Sequence, residues 1–152
     1  QEPTDDTTFL RGSQMTDRHG VVEFRTVFPG WYQGRAVHIH TKVHVDGKLT
    51  EDGYEGGHQC HTGQLYFEEK AVLASAEADP YRTNTTTRTT LDEDFIYPGG
   101  GAQGGLLKLR YKRGRIADGV AASLTVAVDP DATHDGSDAG GPQPTGSPSS
   151  SS

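Results

Sequence analysis

A single cysteine, Cys60, stands among 152 residues. No disulfide can close within the chain, which excludes a disulfide-stapled scaffold. Cys60 is either a buried thiol or one whose partner lies elsewhere. Hydrophobic residues are also scarce, at 32%. No apolar run approaches the roughly 20 residues that span a bilayer, so no membrane partner is expected. Basic residues are outnumbered, 14 Lys and Arg against 21 Asp and Glu, for a net charge of -7. That balance argues against nucleic acid, because phosphate contacts need clustered cations. Glycine, by contrast, is plentiful at 20 residues. Such a composition favours a turn-rich, mostly β protein over a helical bundle.

Alternation of apolar and polar residues supplies the predicted strands. HGVVEFRTVFPG (19–30) places Val22, Phe24, Thr26 and Phe28 at period two and closes on Pro-Gly. In RAVHIHTKVHV (35–45), Val37, Ile39, Thr41, Val43 and Val45 share one face, and His38, His40, Lys42 and His44 share the other. DGKLTEDGYEGG (46–57) reads as a loop, and HTGQLYFEE (61–69) as a third strand. EKAVLASAE (69–77) is a short helix, followed by the long Thr-rich loop ADPYRTNTTTRTTLDED (78–94). GGLLKLRYKRG (104–114) and GVAASLTVAVDP (119–130) form a closing pair of strands. The predicted fold class is all-β, an antiparallel β-sandwich with one short helix and long loops. From about residue 131 the chain is rich in Pro, Gly and Ser, with almost nothing apolar to bury. Residues 1–130 are therefore read as one domain and 131–152 as a linker or tail. Such linkers often lead to a second module in extracellular proteins, so a secreted location is expected.

The chemistry concentrates in PGWYQGRAVHIH (29–40). His38 and His40 are two residues apart, so on a strand they point the same way. Their ring nitrogens could meet one metal ion, or the pair could simply be a solvated strand face. His44 shares that face but lies too far along the strand to join the same ion. Tyr32 bears on the choice of metal. A phenol with a pKa of roughly 10 is a poor ligand for a divalent ion. A hard trivalent ion such as Fe(III) strips its proton, so Tyr32, His38 and His40 together point to ferric iron. Arg35 could stabilise negative charge on a bound substrate. A second cluster, HQCH (58–61), offers His58, Cys60 and His61, but a structural zinc site wants four ligands from separated pairs.

At this point the residues resemble a known family. RGSQMTDRHGVVEFRTVFPGWYQGRAVHIHTKV is similar to the core motif of the intradiol ring-cleavage dioxygenases, whose pattern is TD..G.f.f.T..PG.Y followed by R..HIH. HTGQLYFEE resembles the family's GQ(L/M)(Y/F)F strand, and DGVAASLTVAVDP its last strand. The likeness runs from about residue 9 to 130 and looks closest to the short secreted bacterial branch. It implies non-haem Fe(III), a catechol-type substrate and O2, with ring opening between the two hydroxylated carbons to a cis,cis-muconate-type diacid. Tyr32 would be the axial tyrosinate, His38 the axial histidine and His40 the equatorial one. Arg35 would stabilise the carbanion-like form of the substrate, and Gln64 would partner it near the reacting ring. Arg35 and Gln64 could equally be a structural hydrogen-bonded pair, and Trp31 reads as a packing wall.

The family pattern also contains an upstream tyrosine ligand, and no tyrosine precedes Tyr32 here. Either a preceding part is missing, which the lone Cys60 favours, or the site is degenerate. Tyr54, Tyr66, Tyr81, Tyr97 and Tyr111 stand outside the matching motif; Tyr54 could at most line the pocket. A carbohydrate-binding module beyond the linker is a possible further partner. The competing expectation is a non-catalytic extracellular β-sandwich that binds a polysaccharide, a partner or an aromatic ligand.

Overall fold

The computed structural model describes residues 10–99 and 101–134. The greater part of the Pro/Ser/Gly-rich stretch, from residue 135, lies outside them. The architecture is all-β with one helix. It comprises β1 (His38–Thr50), β2 (Gly53–Tyr66), α1 (Glu69–Ala76), β3 (Lys108–Arg110) and β4 (Ala121–Ser123). β1 and β2 form one antiparallel pair, and β3 and β4 a second. The two pairs meet where Tyr66 bridges to Leu106: Tyr66 N–H donates to the Gly105 carbonyl at 2.7 Å, and Leu107 N–H donates to the Tyr66 carbonyl at 2.9 Å.

The predicted alternation along β1 holds. Ile39, Thr41, Val43 and Val45 are half-buried, while His40, Lys42 and His44 are exposed. The expected loop at 46–57 is instead the far half of a long hairpin, with Thr50 paired to Gly53 across a turn at Glu51–Asp52. Ladder hydrogen bonds come from the backbone, so glycine and acidic side chains do not prevent pairing. Gly57 is required there. Its φ is +61°, and a Cβ would lie 1.9 Å from the Val45 carbonyl oxygen. The register slips once, between Val43 and His44. Val43 faces His61 and His44 faces Gln59, which leaves Cys60 as the extra residue of a β-bulge. Cys60 is a free thiol, only 1% exposed.

The expected strand at 19–30 is not formed as a paired element. Val22, Phe24 and Val27 remain exposed, and residues 21–30 have no ladder partner among the described residues. Period two marks extended backbone; a strand also needs a neighbour. Phe28, at its end, does reach the core and lies 4.6 Å from the Phe67 ring, centroid to centroid. The closing pair is shorter than the 104–114 and 119–130 runs predicted, but it is antiparallel as expected.

The core sits at the base of the hairpin. Val37, Phe67, Val72 and Leu107 are buried together, with Phe28, Trp31, Ile39, Leu65, Leu109 and Leu124 packed around them. α1 contributes Ala71, Val72 and Ser75, which share one helical face at i, i+1 and i+4. Glu69 lies in its first turn, where a carboxylate favours the helix dipole. The same carboxylate accepts from Arg88 Nη2 at 2.8 Å and from Leu91 N–H at 3.0 Å. It therefore ties the Thr-rich loop to the helix.

That loop has a second task. The segment before β1 has no ladder of its own, and the loop runs beside it and supplies its bonds in order. Tyr81 Oη donates to the Phe28 carbonyl at 2.6 Å, and Asn84 Nδ2 to the Trp31 carbonyl at 3.0 Å. Trp31 Nε1 donates to the Thr86 carbonyl at 2.8 Å, and Gly34 N–H to Thr89 Oγ1 at 3.1 Å. Asp94 then receives Arg35 and Ala36. Trp31, expected as a wall, thus packs on the core and is anchored by its indole N–H.

Candidate active site

Antiparallel pairing decides which side chains share a face. His38 stands opposite Tyr66 and His40 opposite Gln64. The two histidines, Gln64 and Tyr66 therefore look to the same side at the base of the hairpin. Tyr32 and Arg35 reach that side from the preceding segment.

The imidazoles converge. His38 Nε2 and His40 Nε2 are 3.1 Å apart. The other nitrogen of His38, Nδ1, lies 2.6 Å from the Ala36 carbonyl and donates its proton there, so the Nε2 lone pair faces outward. Burial, with the positive field of Arg35 and the neighbouring His40, lowers the His38 pKa and keeps the ring neutral. The Tyr32 ring meets His38 edge-on at 6.0 Å between centroids and is 46% exposed. No group of three or more His, Cys, Asp or Glu side chains gathers among the described residues. The set formed here is two imidazoles with a phenol beside them.

Arg35 lies beside them, 8% exposed. Its Nε donates to Asp94 Oδ2 at 2.9 Å, and its Nη2 contacts Gln64 Oε1 and, at 3.2 Å, Tyr66 Oη. Burial alone would lower the Arg35 pKa, but the hydrogen bond and charge of Asp94 outweigh it and the pKa rises. Asp94 moves the opposite way. Burial would raise its pKa, but the backbone N–H groups of Tyr97, Ala36 and Ile96, together with Arg35, hold it below the ordinary carboxylate range. Gln64 is 8% exposed, and its Oε1 also accepts from Tyr66 Oη at 2.8 Å. Its amide nitrogen is buried with no protein partner. Two donors thus occupy the oxygen end of Gln64 while the nitrogen end keeps an unused hydrogen-bonding capacity.

Tyr32, Arg35, His38, His40 and Gln64, expected from the sequence, are therefore assembled on one side of one hairpin end. His44 is excluded, because it lies beyond the bulge with its ring 4.6 Å from Tyr54. Tyr54, allowed at most a pocket-lining place, pairs with Leu49 near the hairpin tip. The zinc alternative does not assemble. His58 Nε2 bonds the Pro130 carbonyl at 2.9 Å, His61 lies near the His134 ring, and Cys60 is held in the bulge. Two residues escaped the sequence reading. Tyr66 carried a signal, since it stands two residues from Gln64 on the same face. Its hydroxyl is occupied by Gln64 and Arg35, and burial with the nearby Asp94 raises its pKa to about 12. Asp94 carried none, as one of three acids in LDEDF.

No protein-family model matches the chain, and no curated protein matches it. Solved structures do. An intradiol ring-cleavage dioxygenase from Tetranychus urticae superposes with a TM-score of 0.73 at 28% identity, covering 88% of this chain and 60% of its own. A second crystal structure, of a dioxygenase, gives a TM-score of 0.74 at 27% identity over 89% of this chain and 60% of its own. The chain thus spans about 60% of the length of the structures it matches. The order of elements, the assembled motif residues and these neighbours agree: in structure the chain is similar to intradiol ring-cleavage dioxygenases.

Proposed function

We propose that the chain carries the reaction centre of a non-haem Fe(III) dioxygenase that opens catechol-type rings between the two hydroxylated carbons, incorporating both atoms of O2. The observation that carries this reading is the pair of Nε2 atoms 3.1 Å apart, with a phenol and a buried arginine–glutamine pair beside them. The donor set fits the ion. Two imidazoles and a phenol suit a hard trivalent metal, which can hold the phenol as phenolate at neutral pH.

Tyr32, His38 and His40 would hold the iron. When bound, Fe(III) supplies the Lewis acidity that draws electron density from a catecholate ring and makes it reactive toward O2. The Ala36 carbonyl orients the His38 ring by holding its Nδ1 proton. Tyr32, at the exposed edge of the group, takes up a proton at Oη as the catechol hydroxyl enters. Arg35, charged and buried, stabilises the negative charge that develops on the ring oxygen in its ketonised form. Gln64 offers Nε2–H to the same region, because its oxygen is already engaged. The product is a cis,cis-muconate-type diacid.

Elemental analysis with a visible spectrum, before and after adding catechol, tests the proposal. Expected are near-stoichiometric iron, a tyrosinate-to-iron absorption that shifts with catechol, and oxygen uptake. His40→Ala should lose iron and colour together. A colourless protein that takes up no oxygen would point instead to a non-catalytic binding module, and zinc in place of iron would overturn the metal assignment.

A further inference from the structure

We infer that Asp94 is a positioning residue that sets both the charge-stabilising Arg35 and the metal-binding His38 through one carboxylate. The inference rests on the dioxygenase reading for its kinetic consequence and on the coordinates alone for its geometry.

Asp94 is 2% exposed and lies 59 residues from Arg35 in sequence. Each oxygen accepts two hydrogen bonds. Oδ2 takes Arg35 Nε at 2.9 Å and Ala36 N–H at 2.7 Å. Oδ1 takes Ile96 N–H at 2.8 Å and Tyr97 N–H at 2.9 Å. The Oδ1 bonds fold the backbone after Asp94 into a tight turn, which aims Oδ2 and places the Phe95 ring 5.0 Å from the Arg35 guanidinium carbon. On the Oδ2 side, one bond fixes the guanidinium edge, so that Nη2 meets Gln64 and Tyr66. The other fixes the Ala36 peptide, whose carbonyl orients His38. Asp94 is also the last of the ordered contacts by which the Thr-rich loop holds the segment before β1. It acts through Arg35 and, by way of the Ala36 peptide, through His38.

Asparagine cannot replace it. An amide has one acceptor oxygen, and its NH2 group would face either Arg35 Nε–H with Ala36 N–H, or Ile96 N–H with Tyr97 N–H. Two donors then oppose two donors in a buried site, whichever way the amide turns.

The test combines hydrogen exchange of the whole protein by NMR with steady-state kinetics. In the wild type, Arg35 Nε–H should exchange far more slowly than that of exposed Arg113. Equal rates would overturn the inference without any variant. In D94N, Arg35 Nε–H and Ala36 N–H should lose protection while the Val72 amide keeps it; unchanged protection at Arg35 would refute the hold. For ring cleavage, D94N should lower kcat about 100-fold, the scale of removing one preorganised charge-stabilising group, with KM changed less than about threefold. In an R35Q background, D94N should cost well under about 100-fold more, because the Arg35 route is already lost and only the His38 route remains. A full multiplicative loss in the double variant, or a KM rise matching the kcat fall, would show a merely structural role. If the wild type cleaves no catechol, the proposed function fails, and the exchange measurements alone decide the positioning.

Discussion

Tyr66→Phe removes one oxygen atom from the centre of the site and leaves the ring. The hydroxyl donates to Gln64 at 2.8 Å and lies 3.2 Å from Arg35 Nη2, in a residue only 1% exposed. Its loss leaves those groups short of a partner away from water, which costs about 1–3 kcal/mol near neutral pH. Alkali provides a second, sharper signature. Tyr66 has a folded-state pKa of about 12, against roughly 10 when unfolded. The folded protein holds its proton while the unfolded chain releases it. The contribution is therefore complete below about pH 10 and is lost as pH rises through about 12. At pH 11 the wild type should have given up about 1.4 kcal/mol through this group, and the phenylalanine variant none of it. Urea unfolding of both proteins near neutrality and at pH 11 measures this. The stability gap between them should narrow by that amount, since every other titrating group is common to both. A gap that stays constant with pH, or one below about 0.5 kcal/mol at neutrality, would show that the Tyr66 hydroxyl is not engaged as described.

Other perturbations probe the support of the site. Val72→Ala empties part of the core beneath α1, where Val72 is 1% exposed, and should cost about 2 kcal/mol in urea unfolding with little change in metal content. Gly105→Ala places a Cβ 2.7 Å from the Gln64 carbonyl oxygen and should force the Tyr66–Gly105 bridge apart, lowering stability by about 1–3 kcal/mol. Because that bridge anchors the strand end carrying Gln64, ring-cleavage activity should fall further than stability alone explains. Phe95→Ala removes an aromatic side chain that is 77% exposed and set against Arg35. Stability should change by less than about 0.5 kcal/mol, while the KM for a catechol rises; an unchanged KM would exclude Phe95 from the substrate path.

The shared face of His38, His40 and Gln64 was legible because strand chemistry is periodic. His38 and His40 had to share a face once the segment was extended, and Gln64 had to join them once its strand paired in register. The helix at Glu69–Ala76 was legible for the same kind of reason, with a different period. The misjudged stretches lacked that link between side chain and backbone state. Residues 19–30 carry a strand pattern and find no ladder partner among the described residues, whereas residues 46–57 carry a loop composition and pair nonetheless.

Local sequence thus determined which way the side chains of β1 would face. Only the tertiary structure decided what holds them. The bulge at Cys60, the Arg35–Asp94 contact and the loop laid along residues 28–36 join segments fifteen or more residues apart. Nothing in the spacing of one segment encodes the position of another, because such contacts form only when folding has brought distant backbone donors and acceptors together away from water.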